Sequence, residues 1–217
     1  MLHPPLWFSP PRCVLAALVA TVAFTLAPLR AQSQCSPAVT TKLGAVSSKP
    51  GVLLIRGSTE VGSVEGRAAD ATTDTGSVTV DAVTLTEVGT GAQTTGLAVT
   101  LDDGRDRSRS VWVDNDELGG LTHALDYLAT VDSSAALTGG FEVAYRTRGA
   151  LRIVTYGDAE RVWASLSADG PSDVTVPLPR ERLAALRSLV QRAKLLVGRS
   201  RAATRVRPLP ASVTPPR

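Results

Sequence analysis

The sequence predicts an α+β fold, mainly antiparallel β-sheet with two amphipathic helices packed on one face. Three observations lead there. From residue 52 onward, apolar residues recur at every second position in short runs bounded by Gly, Pro and Asp. Two stretches switch instead to leucine-rich helical spacing. The order of the two patterns, strands then helix, occurs twice, which reads as a degenerate tandem duplication with halves at 51–132 and 139–198.

The first half opens on Val52-Leu53-Leu54-Ile55, a short apolar strand closed by Gly57. Val78, Val80 and Ala82 alternate with polar neighbours, and Val83 and Leu85 then continue in the opposite phase. Side chains alternate faces along a strand, so this flip predicts a β-bulge or bend near Ala82. Leu97, Val99 and Leu101 make a third strand, ended by the turn residues Asp102-Asp103-Gly104, and Val111 and Val113 make a fourth. Asp114 suits a helix N-cap, with Glu117 three positions on to complete a capping box. Leu118, Leu121, Leu125 and Leu128 then lay one stripe along a helix. Gly119-Gly120 disfavours a helix interior, so either the first turn is irregular or the backbone approaches the sheet there.

In the second half Phe141, Val143 and Tyr145 alternate, followed by Leu151, Ile153, Val154 and Tyr156, then Val162, Ala164 and Leu166. Val174, Val176 and Leu178 form the next strand, bounded by Gly170-Pro171 and Pro179. A helix over 180–197 carries Leu183, Leu186, Val190, Ala193 and Val197 on one stripe, and Gly198 is expected to stop it. Matching the halves at Gly96-Leu97 and Gly149-Ala150 leaves an extra strand around Trp163 in the second.

Outside this body the chain has three other segments. Arg12 is followed by thirteen uncharged residues, 13–25, then Pro28 and the small residues Ala31 and Ser33. A positive start, a short apolar run and a small-residue cut site are the parts of a secretory signal peptide, placed at 1–31. The run is shorter than the roughly 20 residues that span a bilayer, so the mature chain is expected to carry no transmembrane anchor. Residues 32–50 are expected to be a flexible segment before a single domain at 51–198, and 199–217, rich in Pro and Arg, a disordered basic tail. Export places the protein in the periplasm or outside the cell. Its twenty arginines against three lysines resemble a GC-rich bacterial coding bias. Cys13 leaves with the signal, so the mature chain keeps only Cys35, which cannot make an internal disulfide. Gln32-Ser33-Gln34 before it departs from a lipoprotein motif, and a free or intermolecularly paired thiol fits better.

Charge is unevenly distributed. Residues 32–179 hold eleven basic and nineteen acidic side chains, and residues 180–217 hold ten basic and one acidic. A basic end on an acidic body suits either an anionic partner or the body itself. Arg180, Arg187 and Lys194 recur every seven residues, roughly along one line of the last helix, and form the candidate interaction surface.

No catalytic, cofactor-binding or metal-binding set emerges. His123 is the one histidine outside the signal and has no nucleophile placed beside it by the pattern; it reads as a surface helix residue. Asp114-Asn115-Asp116-Glu117 fails the EF-hand spacing, and Asp102, Asp103 and Asp106 read as hairpin acids. P-loop, GxGxxG and GxSxG runs are absent from the sequence. The tandem strands-then-helix order is similar in topology to the Whirly and PUR families of single-strand nucleic-acid binders, in element order alone. That resemblance implies base stacking on sheet aromatics, for which Trp112, Tyr145, Tyr156 and Trp163 are the candidates, although the sheet segments are acidic. The expectation is therefore a non-enzymatic exported domain acting by protein contact or self-association. A single-strand nucleic-acid or polyanion binder using the basic C-terminus is the alternative.

Overall fold

The computed structural model describes residues 40–66, 76–132, 134, 140–158, 160–169 and 173–205, with 200–205 by their backbone alone. The expected signal peptide, Cys35 and residues 206–217 lie outside the described residues. The elements run α1 (Lys42–Ser47), β1 (Leu54–Glu65), β2 (Ser77–Glu87), β3 (Gln93–Asp102), β4 (Ser108–Asp114), α2 (Leu118–Thr130), β5 (Phe141–Arg146), β6 (Leu151–Gly157), β7 (Val162–Ala168), β8 (Val174–Leu178) and α3 (Arg182–Arg205). Each group of four strands is an antiparallel meander, β1-β2-β3-β4 and β5-β6-β7-β8, so the molecule is α+β as the alternation predicts. The halves correspond element for element, four strands and a helix in each. The surplus strand expected around Trp163 is therefore not one. Matching Gly96 to Gly149 had set β3 against β6 instead of β7.

The helices are exchanged between the halves. The α3 helix lies on β1, β2 and β3 of the first sheet, whereas α2 lies on β5 and β6 of the second, and the two helices touch each other. The sheets meet where β3 approaches β7 and β8 and β4 approaches β6 and β7. One continuous core results, with Leu97, Leu101, Leu121, Leu125, Ile153, Leu166, Leu183 and Leu186 among its buried members. Burying both leucine stripes against sheets removes their apolar area from water, and that removal is the main driving force for the fold.

The phase flip in β2 has a different cause from the bulge it predicts. β2 pairs with β3 without interruption from Ser77 to Thr86. Val78, Val80 and Ala82 face the main core, while Val83 and Leu85 face a second cluster with Leu43 and Ala98. The strand is thus covered on both faces in turn, and consecutive burial at Ala82 and Val83 marks the change of cover. The register shift lies across the ladder in β1, between Glu60 and Gly62. Gly62 has φ +146°, a conformation open to glycine, and a Cβ there would stand 3.0 Å from Leu189 of α3. β1 also continues through Gly57, which does not end it.

The cover on the second face is α1, within the segment expected to be flexible. Thr41 caps it through Oγ1, which accepts from Gly44 N, and Leu43 is fully buried. At the other end of the chain α3 runs past Gly198 to Arg205, so that glycine does not stop it. Of the glycine pair in α2, Gly120 is the close approach: a Cβ there would lie 3.2 Å from Tyr145 Oη on β5.

Candidate functional site

The densest polar arrangement sits at the β4–α2 corner. Asp114 is almost fully buried, and its carboxylate accepts from Lys42 N at 2.7 Å and Leu43 N at 3.1 Å. It therefore caps α1 from across the sheet and does not N-cap α2, whose cap is Glu117 without a side-chain bond of its own. Part of the expected capping box survives, since Glu117 Oε2 accepts from Asp114 N at 3.4 Å. Arg148, in the β5–β6 turn, ties the corner down. Its Nη2 reaches Asp116 at 2.6 Å and its Nε reaches Glu117 at 3.3 Å, while Arg148 N donates to Glu117 at 2.8 Å. Lys42 Nζ holds Asp116 from the other side at 3.0 Å. Hydrogen bonds from Lys42 and Arg148 hold the Asp116 carboxyl below its ordinary range. Burial, with the Glu117 charge beside it, pushes the Tyr145 phenol up. Every acid of the corner has a cation or backbone donor of this chain, so the cluster joins α1, α2 and the second sheet.

Two of the three hairpin acids, Asp102 and Asp103, are likewise used internally. Asp102 accepts from Gly104 N at 2.8 Å, and Asp103 accepts from Arg105 N at 2.9 Å and Arg107 Nε at 2.6 Å. Burial alone would raise the Asp103 pKa, but these bonds and the Arg107 charge outweigh it and hold it low. Among the described residues no group of three His, Cys, Asp or Glu side chains is placed to hold a metal ion. His123 is exposed on α2.

The basic line is partly committed to the body. Arg180, in the turn before α3, donates to the Val131 carbonyl at 2.7 Å. Arg187 contacts Asp126 of α2 at 2.5 Å as an ion pair, though its buried Nε lacks hydrogen-bond alignment. Lys194 is exposed. On the outer face of the second sheet, Tyr156 stacks on Trp163 with ring centres 5.9 Å apart. The arginines near it are paired, Arg152 with Glu142 and Arg146 with Asp169. Trp112 lies on the first sheet under the Arg56 guanidinium, 5.0 Å from the ring centre, and Tyr145 is partly buried against the core.

What sequence reasoning missed is the edge. β1 is an outer strand of the first sheet, and Ile55 to Glu60 are exposed on both faces. Leu53 at 71 %, Ile55 at 60 % and, on the adjoining flank of α3, Leu195 at 64 % are among the most exposed large apolar side chains described. A shallow open cleft between Glu60 and Val61 of β1 and Arg192, Leu195, Leu196 and Arg199 of α3 connects the two. The signal in the sequence was the polar run Arg56-Gly57-Ser58-Thr59-Glu60, which breaks the apolar alternation inside a strand.

Fold and surface together define an α+β chain of two meanders whose β1 edge is unpaired among the described residues. No protein-family profile matches it, and no curated protein was found to match. Among solved structures, the one reported with SsgB mutations that correlate to longitudinal cell division during sporulation of Streptomyces coelicolor is similar at 12 % identity and TM-score 0.27, over 67 % of this chain and 90 % of that one. The plant transcriptional regulator PBF-2 is similar at 12 % identity and TM-score 0.30, over 70 % of this chain and 87 % of that one. Likeness at this level says nothing about what this chain binds.

Proposed function

We propose that this chain is a non-enzymatic interaction module that binds another polypeptide along the open edge of its first sheet. One observation carries the reading: Ile55 to Glu60 are exposed on both faces of an outer strand, beside the exposed apolar Leu53, Ile55 and Leu195. An unpaired row of backbone donors and acceptors is a template for strand addition, and flanking apolar side chains supply affinity and register. Residues 1–31, read as a signal peptide, put this module in the periplasm or outside the cell. Among the described residues no helix is long and apolar enough to cross a membrane.

Size-exclusion of native extracts tests the binding. The chain is expected in a larger complex, and Ile55→Asp with Leu195→Asp should release it as a monomer without lowering its melting temperature. Elution of the unaltered chain as a free monomer in every fraction would rule the reading out. Export is tested separately: secretion should leave an N-terminus at Gln32 or Gln34, and an intact Met1 in the cytoplasm would contradict it.

A second reading, binding of a single-stranded nucleic acid or other polyanion, is favoured by the Tyr156–Trp163 stack on the second sheet. The paired state of Arg146, Arg152 and Arg187 weighs against it. Salt-sensitive retention on DNA or heparin that Tyr156→Ala abolishes would support it.

A further inference from the structure

We infer that the occupant of the open edge is a second copy of this chain, its β1 paired antiparallel with the first about a two-fold axis at Ser58. The inference rests on the edge reading above and names its partner. A two-fold contact brings one patch against itself, so the patch must be self-complementary. In a strand paired with its own copy, the register decides which residues meet.

Centred on Ser58, the pairing sets Arg56 against the partner's Glu60, and Glu60 against the partner's Arg56. Opposed residues of an antiparallel pair share a face, and opposite charges there are favourable. Neighbouring registers lose this match. Centring on Arg56 or on Glu60 sets like charges against each other, and centring on Gly57 or Thr59 leaves both charges opposite uncharged residues. The Arg56 side chain, which rests over Trp112 in the single chain, turns outward to make the pair.

The same register accounts for the exposed apolar residues independently of the charges. Ile55 falls opposite the partner's Val61, the residue that lines the cleft with Leu195 and Leu196. Ile55 and Leu195, 60 % and 64 % exposed in the single chain, thereby come together twice, once at each end of the contact. The two copies of α3 cross β1 at separate points. They lie near Val61 and the partner's Val61, six residues apart along the paired strands, or about 20 Å. The shift between Glu60 and Gly62 ends the straight ladder at the two Arg56–Glu60 pairs, and Ile55 meets the partner's bulged Val61 just beyond it at each end.

Sedimentation of the full chain carrying Cys13→Ser and Cys35→Ser, so that no native disulfide contributes, tests the inference. A concentration-dependent monomer–dimer equilibrium is expected. Arg56→Glu and Glu60→Arg should each weaken it at least about tenfold, and the two together should restore it to within about threefold. Ser58→Cys, at the axis, should close a dimer disulfide under mild oxidation, whereas Asp81→Cys on the inner strand should not. A chain monomeric into the millimolar range, or a dimer indifferent to both reversals, overturns self-pairing. If that monomer still enters a larger complex through Ile55 and Leu195, the edge binds a different protein and only this inference fails. A monomer in which the Leu54–Glu60 amides that point away from β2 are protected from exchange at every dilution shows the edge taken by the chain's own residues, and both fail.

Discussion

Asp114 illustrates how one side chain changes meaning with its surroundings. It sits where a helix N-cap belongs, yet its carboxylate satisfies two N–H groups at the start of α1, a helix more than seventy residues earlier. Asp114→Ala strands those donors in a buried place and is expected to cost about 2 kcal/mol in denaturant unfolding. Asp114→Asn should cost less, since one oxygen acceptor remains. Its neighbour Asp116 supplies a pH dependence. Its folded pKa lies below the ordinary 3.8 because Lys42 and Arg148 hydrogen-bond the charged form. Its contribution is therefore complete above about pH 5 and is lost as pH falls through the lowered value, where the unfolded chain binds the proton first. Melting temperatures of Asp116→Asn should accordingly decline less between about pH 5 and about pH 3 than those of the unaltered chain.

The α1 helix is only six residues long, too short to persist by propensity, and exists because it lays Leu43 on Val83, Leu85 and Ala98. Leu43→Ala should therefore destabilise the protein by about 3 kcal/mol, whereas a flexible segment would tolerate it without effect. A calorimetric melt distinguishes the two. For α3, the structure weights the basic line toward the body. Reversing Arg180, Arg187 and Lys194 together to Glu removes the Val131 hydrogen bond and sets a like charge against Asp126. A loss of roughly 1–3 kcal/mol is expected, larger at low salt, with Lys194→Glu alone nearly neutral. Melting curves at two salt concentrations that coincide with those of the unaltered chain would reduce the line to a solvated face.

Exchange of helices between the halves makes the molecule one cooperative unit. Residues 40–132 alone would leave the inner face of β1–β3 without α3, and the complementary piece would leave β5 and β6 without α2. Neither fragment is expected to show a cooperative unfolding transition by itself, whereas mixing them should recover one. A fragment that melts cooperatively on its own would show that each half carries its own core, contrary to the exchange.

The strand and helix stripes were legible because they depend on period alone: Leu118, Leu121, Leu125 and Leu128 must share a face of any helix that contains them, as Leu97, Val99 and Leu101 must share a face of a strand. The α+β class and the twice-repeated order follow from those periods without knowledge of what packs on what. Partnership was not legible. Nothing near Val83 says that Leu43 covers it, so two-sided burial read as a bulge, and nothing near Asp114 says that α1 begins beside it. The open edge was hidden for the same reason, since a strand becomes an edge only when the order of strands in the sheet is settled. Local spacing is a property of the chain, and the sequence by itself determined that much. Which helix crosses to which sheet, which acid meets which cation and which strand lies at an edge depend on contacts between residues far apart along it, and only the tertiary structure decided them.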